Sequence, residues 1–177
     1  PILEALDKVL ALAESLRGRG FATAGVVSGI FLGARFGLGR GFDRYLSVPT
    51  RPESGGTGTS LSSTARVSAG GLEWLESQTD RPFFLFLHYF DVHSDYRPEP
   101  RFAALFEKPY RGVVDGSTRQ LMAYLRGQIS FDEEDRQRLV DLYDAEIRQL
   151  DQGLEELFAR LDERGALEDT VVVVTAD

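Results

Sequence analysis

The stretch Arg81–Tyr96, RPFFLFLHYFDVHSDY, constrains the fold of this chain more than any other. Apolar runs as long as Pro82–Leu87, bounded by turn residues, form strands buried on both faces, the kind found in parallel sheets. This run passes without a break into a polar segment that carries both histidines of the chain, His88 and His93. Open α/β sheets place their ligands just past the carboxyl ends of the strands. The stretch therefore predicts a buried parallel strand that leads into one wall of an active site.

The segments around it fit a sheet of that kind. Ile2, Leu3, Leu6, Val9, Leu10, Ala13 and Leu16 recur at helical spacing and predict an amphipathic helix over residues 2–17, stopped by Gly18 and Gly20. Phe21–Ser28 follows as a short strand of small and β-branched residues, the second half of a βαβ crossover. From Gly29 to Ser63 the pattern dissolves into a loop. Its glycines, Gly33, Gly37, Gly39 and Gly41, lack the tight spacing on a strand-to-helix turn that a dinucleotide loop needs. A surface loop anchored by packed Phe42 and Tyr45 is expected instead, with PESGGTGTSLSS as a mobile section.

Ser63 or Thr64 can cap a helix running to about Gln78, which offers Val67, Leu72, Trp74 and Leu75 to the core. Gly70 and Gly71 weaken that helix, and Trp74 belongs at its contact with the sheet. Thr79–Pro82 is the turn into the organising strand. Arg97–Gln120 reads as a long irregular excursion, either functional or packed by Phe102, Phe106 and Tyr110. Ser130 and Glu133 form an S-x-x-E capping box that opens the longest helix. Leu139, Leu142, Tyr143, Ile147, Leu150, Leu154, Leu157, Phe158 and Leu161 trace its apolar face, and Gly165 stops it. Thr170–Thr175 is a second fully buried strand, ending in Ala176 and Asp177. The alternation of helix and strand predicts an α/β fold, three-layer α/β/α with a mainly parallel sheet. The chain opens on an uncapped segment and stops where a buried strand would open into a functional loop, so an internal fragment is expected.

Composition removes several classes of function. The net charge of −8 argues against nucleic acid, whose phosphates ask for a basic surface. Much of the acidity lies between Asp132 and Asp169, as a solvated helical face. No stretch approaches the roughly 20 apolar residues of a membrane-spanning helix, and no signal peptide is visible. The absence of cysteine excludes disulfides, thiolate catalysis and zinc–thiolate sites within these residues. There is no G-x-S-x-G elbow and no H-E-x-x-H helix.

Two residues remain as chemistry. Asp177 would stand at the carboxyl end of a buried strand, where a carboxylate is costly unless hydrogen-bonded or bound to a cation. A structural cap is the alternative. His93 can donate hydrogen bonds to an anion or protonate a leaving group, unless it is simply a surface or packed histidine. His88, at the strand end, is expected to be buried and bonded to backbone, with Asp91 and Asp95 orienting the loop or the imidazole. One histidine and one carboxylate make half a site.

With these residues in view, FFLFLHYFDVHSDYRP closely resembles the "F-L-x-x-H-x-x-D-P-H-x-P-Y-x-P" segment of sulfatases in the alkaline phosphatase superfamily. LAESLRGRGFATAGVVS resembles that family's helix–glycine–strand unit, and GLGRGFDRY its following "GFd" segment. LYDAEIRQLDQGLEELFARLDERGALEDTVVVVTAD resembles the helix and strand that lead to its "D-H-G" motif. The resemblance covers nearly the whole chain apart from residues 46–62 and 97–125.

The resemblance implies an alkaline-phosphatase-like fold, of which residues 1–177 would be the central part of a single catalytic domain. It implies a sulfuric ester hydrolase in which His93 contacts the ester near the scissile bond and Asp177 ligates a divalent metal, usually calcium. The nucleophile, a formylglycine made from Cys or Ser, is expected outside this chain, so the fragment alone should be inactive. The substrate would be a small-molecule or glycan sulfate ester, and a periplasmic or secreted location is favoured. Two departures matter. VVSGIFLGARFGL replaces the lysine–histidine pair of the family's "G-K-W-H-L-G" motif, with Arg35 as a partial substitute, and Val92 replaces the proline of "D-P-H". The lost pair leaves room for a phosphate or phosphonate ester hydrolase of the same superfamily, or for a catalytically inactive sulfatase-like domain.

Overall fold

The computed structural model describes residues 12–50, 62–78, 81–93 and 95–176. Most of the first expected helix, most of the glycine-serine loop, part of the Thr79–Pro82 turn and Asp177 lie outside these residues. The chain divides into two compact units, Pro1–Phe90 with Glu155–Asp177, and Asp91–Leu154.

The first unit is built on a parallel sheet. Residues 12–17 are helical (α1) and end in the glycine turn expected from the sequence. The chain then enters strand β1, Ala22–Ser28. β2, Arg44–Val48, and β3, Phe83–His88, flank it in the order β2-β1-β3, both parallel to β1. β2 falls in what the sequence presents as loop. Five residues give too short a pattern to stand out behind a glycine-rich stretch.

The order of strands corrects the expectation for β3. Every residue of β1 is buried, whereas β3 is only half-buried along its length. A strand with neighbours on both sides keeps small and β-branched residues, as ATAGVVS does. Large rings such as Phe83, Phe84 and Phe86 instead reach inward from the flanking position.

Helix α2, Ser63–Glu76, covers one face of the sheet, with Ser62 as its cap: the Ser62 hydroxyl accepts from the Ala65 N–H at 3.2 Å. Ala22, Ala24 and Trp74 form the buried contact, and Trp74 meets Phe83 edge-on at 6.4 Å, as expected of a core tryptophan. The two glycines lie where the helix approaches the sheet most closely. A Cβ on Gly71 would come within 2.9 Å of Leu87 Cδ2, and one on Gly70 within 3.1 Å of Val26 Cγ1. The opposite face is closed by Val27, Leu32 and Leu38, with Tyr45 and Phe86 against them. Phe42 packs on Tyr45 at 5.3 Å, so the anchor holds.

Residues 170–176 form no strand. Val171 is 88% exposed, and no strand among the described residues pairs with this segment. A run of valines supplies β-propensity, but burial needs partners on the strand's edges and faces.

In the second unit, helix α3, Pro100–Ala103, and helix α4, Thr118–Leu125, interrupt the irregular excursion. The long helix α5, Glu133–Asp162, begins in this unit and runs on into the first. Its capping box is Asp132 with Asp135, two residues later than Ser130 and Glu133. Asp132 Oδ1 accepts from the Asp135 N–H at 2.9 Å, and Asp135 Oδ2 accepts from the Asp132 N–H at 3.2 Å.

Candidate active site

The carboxyl end of the sheet carries the first histidine. Parallel register sets His88 beside Val27, and its Nδ1 lies 2.8 Å from the Ser28 carbonyl oxygen. A carbonyl only accepts, so His88 holds its proton on Nδ1 and donates it there. This is the backbone-bonded role expected for it, although His88 is half-buried rather than buried. After Ser28 the chain turns through Gly29 into two 3-10 turns, Ile30–Leu32 and Ala34–Phe36. Ile30, Phe31 and Phe36 are exposed, and the Arg35 guanidinium stacks 4.8 Å above the Phe36 ring.

The second histidine belongs to a turn in the other unit. Asp91, Val92 and His93 bend the chain, and His93 is exposed. Val92 adopts φ +72°, a left-handed conformation that a β-branched residue rarely takes. Strain of this kind is of order 1–3 kcal/mol and persists only where surrounding contacts impose it.

Those contacts follow directly in the chain. Asp95 Oδ1 accepts from the Thr118 N–H at 2.5 Å, which is the loop-orienting part expected of it. The Tyr96 N–H donates to the Gly116 carbonyl at 2.9 Å. Gly116 has φ +72°, and a Cβ there would stand 2.5 Å from the Tyr96 carbonyl oxygen, so glycine is required. The Arg97 N–H donates to Glu146 Oε1 at 2.6 Å, and the Glu99 N–H to Gln149 Oε1 at 2.8 Å. Tyr96 meets the Tyr143 ring edge-on at 5.5 Å.

α5 thus offers the excursion a polar stripe beside the apolar positions read from the sequence, of which Leu142 and Leu157 are buried. Asp141, Leu142, Ala145, Glu146 and Gln149 are buried, while Tyr143 and Ile147 are exposed. Irregular backbone has no ladder to satisfy its N–H groups, so side chains must do it. Lower on the same helix, Asp141 pairs with Lys108 at 2.9 Å and accepts from Gln137 at 2.8 Å. Burial opposes its charge, but those partners prevail and hold its carboxyl below the usual range. Tyr110 donates to Asp135 at 2.5 Å.

Glu146 differs from its neighbours. Burial, aided by the charge of Asp91, pushes its carboxyl up to about 7 against the opposing pull of the Arg97 N–H. Its Oε2 is buried and makes no hydrogen bond. The Val92 N–H lies near enough to favour the charged form without closing to hydrogen-bond geometry.

The model of the sulfatase family matches residues 6–177. The chain belongs to the sulfatase family. Among solved structures it is similar to a protein in the alkaline phosphatase superfamily from Vibrio parahaemolyticus, at 20% identity and a TM-score of 0.39, over 82% of this chain and 31% of that one. It is also similar to Ps i-CgsB in complex with k-i-k-neocarrahexaose, at 14% identity and a TM-score of 0.38, over 82% of this chain and 36% of that one. The sulfatase-family chain therefore spans about a third of the length of these structures. No curated protein matches it.

Within this sulfatase-family chain the site residues separate as follows. His93 lies in the strained turn held by Asp95, Gly116 and Glu146. Asp177 lies outside the described residues. Among the described residues no group of three or more His, Asp or Glu side chains is gathered as a cation site. Proline, locked near φ −65°, could not adopt the +72° that Val92 takes. The apolar period of α5 does not mark Glu146 and Gln149, which the structure buries. The signal was the spacing of polar residues at 146 and 149, one helical turn beyond Leu142 and Ala145 on the same side of α5.

Proposed function

We propose that the protein hydrolyses a sulfate ester, water and the ester giving the free alcohol and sulfate with release of a proton. The observation that carries this reading is the family match over residues 6–177. An exposed histidine in a braced turn supports it. In this reading the protonated His93 imidazole donates a hydrogen bond to the ester oxygens, or a proton to the departing alkoxide. Asp177 supplies one carboxylate of the hard oxygen type that calcium takes, and such a cation would neutralise charge on the ester oxygens. The nucleophile, a formylglycine, belongs to a segment outside these residues, so the 177-residue chain alone is expected to release no sulfate.

A phosphate or phosphonate ester is the second reading. It is favoured by the loop Ile30–Phe36, where exposed apolar rings and Arg35 stand in place of a lysine–histidine pair. One experiment separates the two. The full-length protein, loaded with calcium, is offered matched aryl sulfate, phosphate and phosphonate esters, as wild type and as His93→Ala. Sulfate release that falls at least roughly a hundredfold in the variant supports the first reading. Preferential cleavage of the phosphorus esters selects the second. No turnover of any ester, in protein that carries the nucleophile motif, rejects both in favour of an inactive domain.

A further inference from the structure

Glu146 is an expensive choice for the work it visibly does. Accepting one backbone N–H, from Arg97 at 2.6 Å, needs a single oxygen. A glutamine accepts just as well, as Gln149 does for Glu99 one turn later. Glu146 is only 8% exposed, and its second oxygen is buried without a partner. Leaving such an atom unpaired is costly, more so when it is charged.

The carboxyl sits against the turn that the proposed reaction depends on. Asp91 acts on it electrostatically, Val92 directs an N–H toward it, and Arg97 is bound to it. These residues bracket His93 on both sides. Val92 is held at φ +72°, so some contact must oppose relaxation of the turn. On its carboxyl-terminal side the chain is held in turn by Asp95 to Thr118, by Tyr96 to Gly116 and by Arg97 to Glu146, the last being the bond that a buried side chain of α5 supplies.

We propose that Glu146 is a positioning residue for the reaction: its grip on the Arg97 N–H fixes the Asp91–Arg97 turn in the strained form that presents His93 to the ester. The proposal rests on the reading of His93 as an ester-binding group. Reach, rather than charge, is what the clamp requires. Tyr96 and Tyr143 pack ring against ring beside it and leave the clamp to the carboxyl.

Two substitutions in the full-length protein test this. Glu146→Gln keeps the length and an acceptor oxygen. Glu146→Asp keeps the charge but withdraws the oxygen by one methylene, about 1.5 Å, a scale at which misplacement can cost about a hundredfold in rate. Each is measured for kcat and KM on the ester that the wild type cleaves. Each is also measured by NMR with 13C-labelled histidine, the His93 signal being assigned by its loss in His93→Asn. The expected result is a near-normal Glu146→Gln enzyme. Glu146→Asp should show a displaced His93 signal and a roughly ten- to hundredfold fall in kcat/KM, with thermal unfolding confirming that it is folded. An unmoved His93 signal and unchanged kcat/KM in folded Glu146→Asp would overturn the clamp. So would a Glu146→Gln enzyme as impaired as Glu146→Asp. If His93→Asn itself leaves turnover intact, the role given to His93 fails instead, and the His93 signal in Glu146→Asp still decides whether the clamp exists.

Discussion

Replacing Glu146 by glutamine should change how stability depends on pH, and by a calculable amount. Burial holds the folded carboxyl at about 7, against an ordinary value of 4.5. At about 1.4 kcal/mol for each tenfold in proton activity, the gap between 7 and 4.5 is worth about 3 kcal/mol. The sign follows from the folded value being the higher one. The folded state holds the proton more tightly, so this stability is fully present below pH 4.5 and is lost as pH rises through 7. Glutamine resembles the protonated acid in shape and cannot lose a proton. The variant should therefore match the wild type near pH 4.5 and exceed it by about 3 kcal/mol at pH 8. At about 2–4 °C per kcal/mol for a chain of this size, the difference in Tm should open to about 6–12 °C. Thermal unfolding of both proteins at pH 4.5, 6, 7 and 8, followed by circular dichroism, measures it; the other carboxylates cancel in the difference. A difference that stays flat across this range, or narrows as pH rises, would refute the claim that burial of Glu146 opposes its charge.

Gly116→Ala should lose roughly 2–4 kcal/mol, because alanine at φ +72° drives its Cβ onto the Tyr96 carbonyl; urea unfolding gives the value. Asp132→Ala should cost roughly 1 kcal/mol while Ser130→Ala costs little, since the reciprocal bonds of the α5 cap run between Asp132 and Asp135. Equal losses in the two would return the cap to Ser130. Val92→Gly should stabilise by up to about 1 kcal/mol by relieving the left-handed strain, whereas Val92→Pro should destabilise by more than that. The same urea titration compares them.

The elements legible beforehand are those whose residues carry their own instruction. A long apolar period, a glycine stop and a β-branched run produced α5, the turn after α1, and β1. The family motif singled out His93, and His88 could be read as backbone-bonded because it ends an apolar strand. β2 was not legible, since five residues leave no period, and its identity comes from pairing with Ala24–Ser28. The valines of 170–175 show the converse case: strong propensity, with no strand among the described residues to pair with.

The sequence by itself determined the parallel α/β class, the succession of β1, α2, β3 and α5, and the family. These follow from local period and from motif, which are properties of neighbouring residues along the chain. Only the tertiary structure decided that β1 rather than β3 is the fully buried strand. It alone set the cap of α5 at Asp132, and it put polar Asp141, Glu146 and Gln149 on the buried side of that helix. Each of these depends on what an irregular or distant stretch of backbone leaves unsatisfied. Arg97 and Glu99 needed acceptors for their N–H groups, and that need is met some fifty residues away. A periodicity argument cannot see it, because the demand arises only once the chain has folded back.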